Sequence, residues 1–143
     1  MMRRFARFLR LPRADRRLLI GAAGLHAIVA IAVRVQRFGR VRRLLERVAT
    51  FGPRPRPVDD VVARVVRAVR TAASLSPGSN CLTEALVAQC LLARRQYQTT
   101  LCFGVARLPG ADRPFDAHAW LERGEAGVSG ARAIVYQRLR HRA

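Results

Sequence analysis

The run Gly52-Pro53-Arg54-Pro55-Arg56-Pro57 sets a proline at every second position, and nothing else in the chain restricts the fold as much. Each proline fixes its φ and removes an amide donor, so no helix can cross the run and no central strand can contain it. It reads as a stiff, extended linker. The chain is thereby divided into a basic helical region, 1–52, the Pro/Arg linker, 53–57, and the rest, 58–143, in a length that suits one compact domain plus an appendage.

Two local patterns define that last region. Pro77 and Gly78 stop whatever precedes them, and Ser79 or Asn80 can cap the first free amides of a helix. Cys81 then falls in the first turn, and 82–93 consists mostly of good helix formers. Ala85, Ala88 and Leu92 follow Cys81 on one small, close-packing face, and apolar residues on the other faces predict a buried helix. Further on, Phe115, Ala117, Ala119 and Leu121 alternate with Asp116, His118, Trp120 and Glu122, the pattern of a half-buried strand. Arg123-Gly124 predicts a two-residue turn returning through Glu125 to Ser129, a register in which Glu122 faces Glu125 and His118 faces Ser129. Residues 99–106 predict another strand, with Leu101, Phe103 and Val105 on one side. Residues 58–75 predict an amphipathic helix with a valine stripe (58, 61, 62, 65, 66, 69) and arginines at 64, 67 and 70. The tail from 131 to 143 is open between a short strand and a helix. The sum is an α+β fold, a cysteine-bearing helix on a small antiparallel sheet that carries a histidine, preceded by basic helices.

Residues 18–33 are nearly apolar, with His26 as the interruption. The stretch is short of the roughly 20 apolar residues of a membrane span, and no small-residue cleavage site follows it before Arg34. A helix packed within the protein or on a partner is expected, with His26 as a packed histidine to which no chemistry is assigned. Peripheral membrane contact through a basic amphipathic surface is the other reading.

A net charge of +18 attracts anions of many kinds. Nucleic acid is the poorer candidate, because zinc-finger spacing, aromatic ribonucleoprotein motifs and a base-reading helix are all missing from the sequence. An acidic peptide or partner fits the charge equally well. The three cysteines, Cys81, Cys90 and Cys102, are odd in number and without close pairing, which predicts reduced thiols in the cytoplasm and no metal site. Cys90 and Cys102 read as core.

Free cysteine is commonly inert packing. A cysteine at a helix start followed by a histidine on a strand is a different matter, because the helix dipole favours thiolate there and its first amides can serve an oxyanion. Cys81 and His118 are therefore the candidate nucleophile and base. For a group that orients the imidazole the residues offer Ser129, which carries no charge, and Asp116, two residues from His118 on its face. Trp120 shares that face and either shields the imidazole or lines a substrate groove.

The same residues carry a resemblance. Cys81-Leu82 with Ala85-Leu86, Leu91-Leu92-Ala93-Arg94-Arg95, Phe103-Gly104-Val105 and Ala117-His118-Ala119-Trp120-Leu121-Glu122 resemble the lasso-peptide biosynthesis B2 proteins, leader peptidases of the transglutaminase-like, papain-related superfamily. The basic lead-in, Phe8-Leu9-Arg10-Leu11-Pro12 with Asp15-Arg16 and Leu18-Leu19, is also similar. The resemblance implies a transglutaminase-like cysteine protease core over 58–143 and removal of a leader from a ribosomally made precursor, with Cys81 as nucleophile and His118 as general base and acid. It further implies a separate leader-recognition protein of the B1 type and a macrolactam cyclase as partners. Cleavage by this route needs no cofactor, and the residues leave ATP dependence open. The chain departs from the family where an Asp is expected after the histidine, since Val128-Ser129-Gly130 stands there. Two rival classes remain: acyl transfer by the same dyad, and a basic scaffold on membrane or nucleic acid in which Cys81 is incidental.

Overall fold

The computed structural model describes residues 8, 10–51, 60–76, 79–107, 115–124, 126–129 and 137–138. The Pro/Arg linker, Pro77-Gly78, Glu125, Gly130 and most of the tail lie outside them. Among the described residues the order is α1 (Arg13–Val35), α2 (Phe38–Thr50), α3 (Val61–Ala73), α4 (Cys81–Ala93), β1 (Thr100–Arg107), β2 (Phe115–Arg123), β3 (Ala126–Ser129) and β4 (Gln137–Arg138). This is the α+β architecture expected from the sequence.

Helix α1 starts behind Pro12, whose fixed φ suits the edge of a helix and whose missing amide costs nothing there. Leu18, Ala22, His26 and Val29 recur at helical spacing and are buried. The opposite face is also apolar: Ile20, Ile28, Ile31 and Val35 are each more than 60% exposed. By length and composition α1 is sufficient to cross a membrane, yet its Leu18 face is packed in the core. Asp15 in its first turn accepts two bonds from Arg64 of α3, at 2.9 Å from Nε and 2.6 Å from Nη2. That fork is the bidentate geometry that fixes orientation as well as proximity.

One hydrophobic core runs from Leu18, Ala22 and Val29 of α1 through Val41 and Leu45 of α2, Val65 and Val69 of α3, and Leu86 and Leu92 of α4, to Ala119 and Leu121 of β2. Helix α4 is central: residues on all its faces are buried, among them Leu86, Val87, Ala88, Cys90, Leu91 and Leu92. Cys90 is core, its Sγ 3.6 Å from the Leu45 carbonyl oxygen, and burial pushes its thiol pKa up against the opposing pull of Arg94. Phe38 of α2 meets Phe103 of β1 edge to face, with ring centroids 5.9 Å apart.

The sheet is antiparallel in the order β3-β2-β1-β4. Strands β1 and β2 pair along their lengths, with Gly104 opposite His118 and Cys102 opposite Trp120. Cys102 is buried, as expected. The β2–β3 hairpin forms where expected but in another register: Arg123 pairs with Ala126, Glu122 with Gly127 and Leu121 with Ser129, with an irregularity after Leu121. The loop is one residue later than the expected Arg123-Gly124, because Gly124 at φ +62° takes its first position. Hairpin turns of the primed types put positive φ there, where glycine is unstrained.

Candidate active site

The chain approaches α4 in extended conformation at Asn80 (φ −140°, ψ 169°), the N-cap. The Asn80 side chain accepts from the Thr83 amide at 2.9 Å, and the Thr83 hydroxyl receives the Asn80 amide at 3.1 Å. This reciprocal box satisfies two amides and fixes the first turn. Thr83 is fully buried. Cys81 is thus the first helical residue, half-buried, held where the positive end of the helix dipole acts on sulfur.

Strand β2 supplies the other half. Ala119 and Leu121 turn into the core, while Asp116, His118, Trp120 and Glu122 lie half-buried on the second face. Among the described residues β3 pairs only with 121–123, at the far end from His118. Cys81 approaches the other end, where its Sγ lies 3.9 Å from the carbonyl oxygen of Ala117, the residue before His118. Cys81, His118, Asp116, Ser79, Glu84 and Arg70 all line one open cavity of about 560 Å³.

Of the residues singled out from the sequence, Cys81, His118 and Asp116 therefore meet at one cavity. Trp120 stacks beside His118, ring centroids 6.2 Å apart and planes 15° from parallel, and donates its indole N–H to Glu122 at 2.6 Å. Ser129 is placed elsewhere: its backbone stands opposite Leu121, three residues or about 10 Å along the strand from His118. Two features are the physical reason: a loop one residue later moves Ser129 by two places, from opposite His118 to opposite Trp120, and the irregularity between Leu121 and Glu122 adds the third.

Sequence reasoning missed three participants. Glu84 stands three residues after Cys81, a spacing that puts it on the same helix face. Ser79 reads from the sequence only as a possible cap. Its hydroxyl bridges Glu84 Oε1 at 3.4 Å and His26 Nε2 at 3.2 Å. His26, the polar interruption in an apolar run, was the visible signal for the third. Burial lowers its pKa from the ordinary value, while the Glu84 charge pulls the other way.

Among the described residues no cluster of three or more potential metal ligands occurs. The arrangement suits thiol chemistry: a thiol at a helix start and an imidazole on a neighbouring strand open to one cavity. A family model, that of the transglutaminase-like superfamily, matches residues 25–141. No curated protein and no solved structure matches the chain. The chain belongs to the transglutaminase-like superfamily, which includes cysteine peptidases and acyl-transferases and whose members are commonly cysteine-dependent enzymes.

Proposed function

We propose that the protein is a cysteine peptidase that removes the leader from a ribosomally made lasso-peptide precursor, acting in the cytoplasm with a separate leader-recognition protein and alongside a macrolactam cyclase. The observation that carries the reading is the shared cavity of Cys81 and His118, with Cys81 in the first turn of α4. The motif resemblance around those two residues supports the choice of substrate.

In this reading Cys81 thiolate attacks the scissile carbonyl carbon, and the oxyanion is met by the Cys81 amide, one of the first-turn donors that have no intrahelical acceptor. His118 passes its proton to the leaving amine as the C–N bond breaks. Water, deprotonated by His118, then attacks the thioester carbonyl and returns the thiol. Asp116 is the acid nearest His118 along its strand face and is the candidate orienter of the imidazole. Trp120 shields one side of the ring from water.

The test is mass spectrometry of a lasso-type precursor incubated with the protein and its leader-binding partner, comparing wild type with Cys81→Ala and His118→Ala. Cleavage at one leader–core bond, at least ~10³-fold slower in both variants, is the expected result. A product heavier by an added amine rather than by water would instead make the chain an acyl-transferase. Equal products from all three proteins would leave Cys81 incidental and sink the enzymatic reading.

A further inference from the structure

His26 is 0% exposed in the middle of α1, yet it sits one hydrogen bond from the residue that leads into the nucleophile's helix. Proton positions follow from the chemistry of the chain of contacts. Ser79 has one hydroxyl hydrogen, and the carboxylate of Glu84 can only accept, so the Ser79 O–H points to Glu84 Oε1. The Ser79 oxygen is then left to accept, and His26 must carry its hydrogen on Nε2 to donate to it. The other nitrogen, Nδ1, is buried with no hydrogen-bond partner among the described residues. A bare lone pair there is tolerable, whereas an orphaned N–H would not be, so the buried ring is neutral and of one tautomer. The contact has a directed role, because it joins α1 to the segment before Cys81 while Glu84 holds the same hydroxyl from inside α4.

We propose that His26 is a positioning residue for the Cys81 thiol: through Ser79 it fixes the approach of the chain to α4, which makes the N-terminal helix a working part of the active site. This rests on the reading of Cys81 as nucleophile. Nothing in it requires His26 to reach the substrate. Ser79 is clamped between two elements, so the Asn80 cap and the sulfur after it are held against the cavity wall rather than swinging with the chain that precedes them. Small misplacements of a nucleophile cost rate steeply. That the family model takes in residues from 25 onward agrees with α1 belonging to the functional unit.

The experiment measures two things on the full chain: the rate of Cys81 alkylation by iodoacetamide between pH 5 and 9, followed by peptide mapping, and kcat and KM for precursor cleavage. The variants are His26→Leu, Ser79→Ala, both together, and His26→Gln, which keeps a donor near the position of Nε2. Near-UV circular dichroism verifies that each is folded. Expected is a fall of about tenfold in alkylation rate at neutral pH, and in kcat with little change in KM, for His26→Leu and for Ser79→Ala. The double variant should be no worse than either single one, since both remove the same tether, and His26→Gln should recover most of the rate. Unchanged alkylation in folded His26→Leu and Ser79→Ala, or losses that simply multiply in the double variant, would overturn the proposal. If alkylation falls as expected while no protein cleaves the precursor, the positioning role stands and it is the peptidase reading that fails.

Discussion

At the residue scale the buried imidazole of His26 ties stability to pH. Its folded pKa lies below the ordinary 6.5 because burial penalises the cation more than the Glu84 charge favours it. As pH falls through that ordinary value the unfolded chain takes up a proton that the folded chain still refuses. Stability is therefore full above the unfolded pKa and declines as pH drops toward the folded one. Urea unfolding should show a midpoint that falls between pH 7 and pH 5, and less steeply in His26→Gln; parallel curves for the two proteins would assign the whole decline to other groups. His26 also illustrates where sequence reading stops. Its burial was legible from an apolar helical run, but its partner Ser79 is 53 residues away, and periodicity carries no information about such a pairing.

At the element scale α4 and the β2–β3 hairpin show what local chemistry can and cannot specify. The cap, the start of the helix at Cys81 and its central place in the core follow from Asn80 and from a run whose apolar residues fall on every face. Asn80→Ala removes the acceptor for the Thr83 amide and should cost about 1 kcal/mol in urea unfolding. A larger loss would show that the buried Thr83 hydroxyl is disturbed too. The hairpin was legible as a turn near Gly124 flanked by strands, but its register was not. Which of two adjacent residues opens the loop depends on the sign of one φ, and a one-place shift of the loop moves every pair in the ladder. The choice of a group to orient the histidine is affected directly: the hairpin sets Ser129 opposite Leu121, and Asp116, on β2 itself, is left as the near candidate.

At the scale of the whole molecule the sequence divides the chain at 53–57, while the described residues on both sides of that run share one core and the Asp15–Arg64 ion pair. Long-range packing of this kind is invisible to composition. The outward side of α1 has the opposite character, an apolar face of Ile20, Ile28, Ile31 and Val35 with Arg13 and Arg17 near one end and Arg34 and Arg37 near the other. We propose peripheral membrane contact for this face, in which the isoleucines enter the headgroup boundary and the arginines meet anionic lipid. The protein should sediment with phosphatidylglycerol vesicles at low salt, more weakly with phosphatidylcholine, and at least tenfold less when Ile28 and Ile31 are both changed to Ser. Failure of the wild type to sediment with anionic vesicles would remove the membrane from the account.

The burial of α4 on all its sides has a consequence for how such a chain can evolve. Eight of the helix's thirteen residues are buried and they fall on every side of it, so a substitution at any of these is felt by the helices and strands packed around it as well as by the thiol. Change there must come in concert, several segments drifting together or not at all. The outer face of α1 bears no such internal obligation, and lineages can rewrite it to suit a new surrounding while the chemistry beneath stays as it is.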